Sequence, residues 1–272
     1  MRLAPHAAQH GAQIDSWSTD AEPYGGPDMA RLNMLPVFDV IRDGRPLNLP
    51  VRAQRLVALL AVNGGAVARS TAAERLWPDV INARALASLR ATLWGLARAP
   101  WSPVVVCGET LMLNRDVESD LGRARALATA VLDGDHVPLD IGCVQRLSTD
   151  LLPGWCDEWL THERERHRQL RLHALDQLCV LHAEHGRFAS AVMAGLASVV
   201  GDPTRESAHR ALMRAHLLEG NPSEAIRQFH SYVRIARSEL GISASAQMER
   251  LLLEALDDGV RADTERCVPT AV

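Results

Sequence analysis

Between residues 178 and 225 the chain repeats its own pattern. An offset of 34 residues superposes Leu178 on Leu212, His182 on His216, Gly186 on Gly220 and Ala191 on Ala225. "HGRFASAVMAGLASVVGDP" starts a helix after Gly186, and "EGNPSEAIRQFHSYVRIARSEL" starts one after Gly220. Each glycine stops the helix before it. The small residues Ala191 and Ala225 let paired helices approach closely. One such pair cannot bury its own apolar face, so pairs must stack.

Thirty-four residues is the tetratricopeptide period. The run "LLPGWCDEWLTHERERHRQLRLHALDQLCVLHAEHG", closed by Gly186, is expected to join the stack as a long helix over about 156–185. Pro203 is expected to open the next helix from its first turn. "ASAQMERLLLEALDDG" is expected to cap the stack, with 259–272 as a flexible tail. "DLGRARALATAVLDG" reads as a linking helix from about Asp120, so an all-α tetratricopeptide-like domain is expected over 119–258.

The first half has a different grammar. In "MLPVFDVIRDGRPLNLP" two short apolar runs flank Asp43-Gly44, a hairpin signal. "VRAQRLVALLAVNGG" puts Leu56, Leu59 and Leu60 on one helical face, and Gly64-Gly65 stop it. "RSTAAERLWPDVINARALASLRATLWGLARAP" then reads as two helices around Pro78. Ser70 or Thr71 is expected to cap the first, with Thr71 and Glu74 as a capping box. The second runs from about Asn82 with Leu86, Leu89, Leu93 and Leu96 as its buried stripe, and Pro100 and Pro103 end it. "VVVCGETLMLN" supplies two strands turning at Gly108-Glu109. Hairpin, three helices, hairpin is the order of a winged helix, expected over 34–118, with the last hairpin as its wing.

Composition adds restraint. The 29 basic residues are all arginine, and net charge is -4. Residues 31–120 are the only segment with a positive balance, which suits a polyanion mildly. The five cysteines, Cys107, Cys143, Cys156, Cys179 and Cys267, form no C-x-x-C pair and are expected to be scattered buried thiols. No apolar run reaches the roughly 18 residues of a membrane span. Residues 1–33 lack the apolar region of a signal peptide and read as a disordered arm, with Met29 and Met34 as alternative starts. A cytoplasmic protein without a membrane partner is expected.

Three stretches together carry a resemblance: "LPVRAQRLVALLAVNGG" with "AERLWPD"; "LLPGWCDEWLTHERERHRQLRLHAL"; and "DPTRESAHRALMRAHLLEGNPSEAIRQF". The N-terminal part resembles the OmpR-type winged helix, and the C-terminal part resembles the bacterial transcriptional activator domain. Together, over roughly 34 to 255, they are similar to the Streptomyces antibiotic regulatory protein family. The resemblance implies a mainly α fold, an OmpR-like winged helix-turn-helix followed by helical repeats. It implies a transcriptional activator of a biosynthetic gene cluster that binds repeats in double-stranded promoter DNA and recruits RNA polymerase holoenzyme. The helical domain is expected to support the winged helix, to dimerise or to touch polymerase.

A recognition helix needs donors on its outer face, since arginine reads guanine and Ser, Thr or Asn reach bases or phosphates. With the leucines inward, Arg84, Ser88, Arg90 and Thr92 are expected at the groove. Relatives in the family usually end this helix with a "WRLRR"-like segment, whereas here Trp94-Gly95-Leu96-Ala97-Arg98 stands, two arginines short. Phosphate contact then leans on Arg52, Arg55 and Arg98, with Thr110 and Arg115 in the wing. Trp94 is expected to pack inward, and Trp155 and Trp159 to anchor the core between the domains.

Catalytic patterns are weak. His162 and His167 are five apart, about 140° round a helix, so they cannot share a metal as H-E-x-x-H does. His182 and His185 share a face without an evident third ligand. Without lysine there is no phosphate loop, so no nucleotide is expected; no G-x-S-x-G elbow appears, and neither enzyme activity nor a cofactor is implied. The rival reading is a tetratricopeptide-type protein-interaction adaptor whose winged helix binds DNA weakly or not at all. A repressor is also open, and no residue signals a ligand in the helical groove.

Overall fold

The computed structural model describes residues 29–135 and 141–266. Its first element already departs from the expected arm. Strand β1 (Ala30–Asn33) alternates buried and half-buried residues, with Ala30 and Leu32 fully enclosed. It pairs antiparallel with β2 (Asp39–Arg42), placing Ala30 opposite Arg42. The domain therefore begins ahead of residue 34, because these two apolar side chains complete the core. The rest of the expected arm, residues 1–28, lies outside the described residues.

Asp43 and Gly44 turn the chain with φ of 52° and 71°, and β3 (Arg45–Pro46) returns along β2. Both positive φ values are those of the tight hairpin turn whose twist matches its strands. Helix α1 (Val51–Asn63) follows, burying Leu56, Val57, Leu59 and Leu60. Gly64 ends it at φ 68°, donating its N–H to the Leu60 carbonyl.

Strand β4 (Val67–Ala68) leads directly into α2 (Arg69–Leu76). This corrects the expected cap at Ser70 or Thr71. The helix starts earlier, from Ala68, and no side chain caps it. Its first amide, Arg69 N–H, donates instead to the Glu109 carbonyl at 2.9 Å. Helix α3 (Asn82–Ala97) follows the break, then strands β5 (Val104–Cys107) and β6 (Thr110–Leu113). Their turn includes Gly108 at φ 58°. Strand β7 (Val117–Ser119) closes the domain beside β1 in parallel. The two sheets run β3-β2-β1-β7 and β4-β6-β5. This is an OmpR-like winged helix.

Helix α4 (Asp120–Asp133) opens the second domain, and the Ser119 hydroxyl accepts from Gly122 N–H at its start. A short helix α5 (Ile141–Leu147), without a clear sequence signal, precedes α6 (Glu158–Glu184). The expected start near 156 is shifted because the preceding loop is clamped. The Arg164 guanidinium donates to the carbonyls of Leu151, Leu152 and Trp155. Helices α7 (Phe188–Gly201), α8 (Glu206–Leu218) and α9 (Pro222–Ile235) complete the repeat. Gly186 and Gly220 both turn with positive φ, at 70° and 80°, and Ala191 and Ala225 are fully buried. A Cβ on Gly195 would lie 3.0 Å from Leu212 and 3.1 Å from the Cys179 sulfur, so α7 seats closely on both neighbours.

Pro203 does not open α8. It stands in a turn where the Asp202 carboxylate accepts from the Thr204 amide and hydroxyl, a local bond that competes with helix formation. Pro222 takes the first-turn position of α9 instead. A π-helical turn (Ala236–Leu240) leads to α10 (Ala246–Arg266). The expected flexible tail from 259 is thus helical through Arg266. Leu121, Leu151, Leu152 and Leu160 join the winged-helix core, so the two domains share apolar packing.

Candidate nucleic-acid interface

Helix α3 is set by its inner side. Ala85, Leu89 and Leu96 are buried, and Leu86 and Leu93 pack half-buried against the same core. At about 100° per residue, that stripe turns Arg84, Ala87, Arg90, Ala91 and Trp94 outward, and all five are exposed. Arg84 and Arg90 have no hydrogen-bond or ion-pair partner among the described residues, so their guanidinium donors face solvent. Ser88 is half-buried on the flank.

Three expectations at this surface need correction. Thr92 is half-buried, and its hydroxyl donates to the Ser88 carbonyl at 2.9 Å, which occupies the donor a base edge would need. Trp94 does not pack inward; it is 65% exposed. Leu93 takes the inward place, and one residue further round the helix is already outside. The Arg98 guanidinium lies 4.6 Å above the Trp94 ring, a cation–π contact. The spacing of four between these residues was a readable signal for it. Arg55 is not a free cation. Its guanidinium is paired with the Asp157 carboxylate, Nε at 2.6 Å. The pairing arises because this face of α1 meets the loop ahead of α6.

The remaining candidates are scattered. Arg52 is exposed on the first turn of α1, without an ion-pair partner among the described residues. Thr110 follows the wing turn, with its hydroxyl donating to the Cys107 carbonyl at 2.9 Å. Arg115 is exposed but follows β6, at the opposite end of that strand from the wing turn. The turn itself presents Glu109, not a cation. The structure therefore gathers Arg84, Arg90 and Arg98 along α3 and its C-terminal cap, brings Arg52 beside the last turns of that helix, and leaves Arg115 apart. Sequence reasoning passed over Arg75, which is exposed on α2.

The winged helix is mounted on the second domain by charged bridges. Arg125 of α4 donates to the Val62 carbonyl at 2.7 Å and pairs with Glu163 of α6 at 3.0 Å. Burial lowers its pKa and the Glu163 carboxylate opposes that. The Asp120 carboxylate accepts from the amides of Met34 and Leu35, each at 2.9 Å. Burial raises its pKa against the pull of those bonds. Trp155 stacks near Phe38 with centroids 5.6 Å apart, and Trp155 and Trp159 both pack against the shared core, as the sequence suggested.

Among the described residues no group of three or more His, Cys, Asp or Glu is placed to hold a metal. His162 is exposed while His167 is buried, on different sides of α6. The thiols divide: Cys143 and Cys179 are buried, but Cys107 and Cys156 are exposed, at a strand end and in a loop where no core reaches them. Cys267 lies outside the described residues. No helix among the described residues is long and apolar enough to cross a membrane.

Comparison with known proteins agrees with this architecture. The family model of the bacterial transcriptional activator domain matches residues 147–256. Among solved structures, Mycobacterium tuberculosis EmbR in complex with low affinity phosphopeptide is similar, with a TM-score of 0.61 at 17% identity. The likeness covers 87% of this chain and 68% of that one, and at this identity it speaks for the fold. Comparison with curated proteins gives no match. Behind its winged helix, the chain thus carries a stretch that matches the bacterial transcriptional activator domain, which gives it the architecture of a transcriptional regulator.

Proposed function

We propose that the chain is a sequence-specific DNA-binding transcriptional activator similar to the Streptomyces antibiotic regulatory proteins. In this reading it acts on a biosynthetic gene cluster by binding promoter repeats and recruiting RNA polymerase. Its role is binding, not catalysis. The observation that carries the reading is the outward pair Arg84 and Arg90 on α3, unpaired and exposed on the helix that this fold offers to a major groove. Arg98 and Arg52 add phosphate contacts, and the helical domain supplies the surface for polymerase or a second copy.

A gel shift at moderate salt with the intergenic DNA upstream of its own gene and of neighbouring genes tests the proposal. Retarded complexes that disappear with Arg84→Ala and Arg90→Ala are expected. Each lost bidentate contact weakens binding by about 1–3 kcal/mol. No retardation with any of these fragments refutes it.

One observation favours the adaptor reading: the middle of the outward face is apolar, made of Ala87, Ala91 and Trp94. Under that reading the two arginine substitutions spare function in cells.

A further inference from the structure

A cavity of about 380 Å³ lies between the N-terminal end of α1 and the last turns of α3. Its size falls in the range of small-molecule sites, about 300–1,000 Å³. The walls carry small residues, Ala53 on α1 and Ala91 and Gly95 on α3, which leave a slot for a flat group. A Cβ on Gly95 would meet nothing within 4 Å. The missing side chain thus opens directly onto free space, at a helix position where the local sequence departs from an arginine-rich pattern.

Of the polar side chains that line the slot, Asn48 and Thr92 can both donate and accept, and the other two, Arg52 and Trp101, only donate. Arg52 lines it, exposed and without an ion-pair partner among the described residues, and no aspartate or glutamate lines it. Trp101 also lines it, and its indole N–H is buried without an acceptor. The Arg42 guanidinium lies 4.5 Å over the Trp101 ring, and its Nη1 is likewise buried without an acceptor. Buried donors left unpaired are unfavourable, and an incoming acceptor relieves them.

We propose that this cavity binds a compact aromatic anion, an aryl carboxylate or sulfonate. Its ring fills the slot between Ala53 and Gly95, and its anionic group faces Arg52 and the unpaired donors beside Trp101. Because one wall is the outer half of α3, the occupant rests against the helix assigned above to DNA. Binding itself requires no DNA, so the site stands or falls separately from the promoter reading.

The test is a fluorescence titration of the full chain with anilinonaphthalene sulfonate and, in parallel, with neutral phenylnaphthylamine, which lacks the sulfonate. Saturable binding of one sulfonate probe per chain is expected. Gly95→Leu, which fills the mouth of the slot and favours helix, weakens both probes about tenfold or more. Arg52→Gln weakens the sulfonate about fivefold and leaves the neutral probe unchanged. Absence of saturable binding overturns the proposal. So does unchanged binding to Gly95→Leu with the wild-type circular dichroism spectrum, which places the probe elsewhere. Should Gly95→Leu lose helicity, Arg52→Gln decides: equal weakening of both probes, or of neither, overturns it.

Discussion

Arg55 and Asp157 offer a sharp test of how the winged helix is held. Their side chains are 27% and 13% exposed. That places them between surface pairs, which contribute at most about 1 kcal/mol, and buried pairs, whose breaking costs about 3–5 kcal/mol. Asp157 also accepts from the Trp159 indole N–H at 3.1 Å, so its removal strands two donors. Each bond to a charged group contributes about 1.5–3 kcal/mol. Asp157→Ala is therefore expected to cost about 3 kcal/mol, and Arg55→Ala about 2. The double variant should cost about 3, a coupling near 2 kcal/mol. Denaturant unfolding followed by far-ultraviolet circular dichroism measures all three. Additivity within about 0.5 kcal/mol would refute the pairing. A second readout is the salt dependence of promoter binding. If Arg55→Ala lowers its slope by about 1, the arginine contacts phosphate and the structural assignment is wrong.

Other consequences follow from single side chains. Gly201→Ala puts a Cβ 2.6 Å from Leu172 and 3.0 Å from Arg171, where α7 meets α6, and should cost about 1–3 kcal/mol in a thermal melt. Trp94→Ala should change stability by less than about 0.5 kcal/mol, because the ring is exposed, while promoter affinity falls with the loss of the Arg98 stack. His209 and His167 are buried, and burial lowers both pKa values below the ordinary 6.5. Below that value the unfolded chain takes up protons that the folded chain resists, so stability is full above it and falls as pH drops through the depressed values. A melting temperature that stays level from neutral pH to pH 5 would contradict this. His209→Gln should flatten the fall, since in wild type His209 Nε2 and Nδ1 bond the Pro203 carbonyl and Gln228.

Much of the architecture was written in local pattern. The hairpin at Asp43-Gly44, the leucine stripe of α3, the wing turn at Gly108 and the helix stops at Gly186 and Gly220 each depend on a few neighbouring residues and on backbone conformations that those residues favour. The 34-residue offset determined that the second half must stack helix pairs, because no single pair buries its own face. The outward placement of Arg84 and Arg90 also followed from helical period alone.

What the sequence could not decide was anything set by a distant partner. Ala30–Asn33 look like loose chain until β2 and β7 flank them. Thr71 and Glu74 match a capping box, yet the Glu109 carbonyl, far along the chain, takes the amide at the start of α2. Arg55 and Arg52 sit on one helix with the same chemistry, and only Asp157, across the domain boundary, separates a structural arginine from a free one. Trp94 carries the composition of a core residue, yet it stands one residue past Leu93, outside the buried stripe of α3, and is exposed. Local sequence sets conformational preference through short-range sterics and hydrogen bonds. Which charge is neutralised depends on surfaces that exist only after both domains have packed.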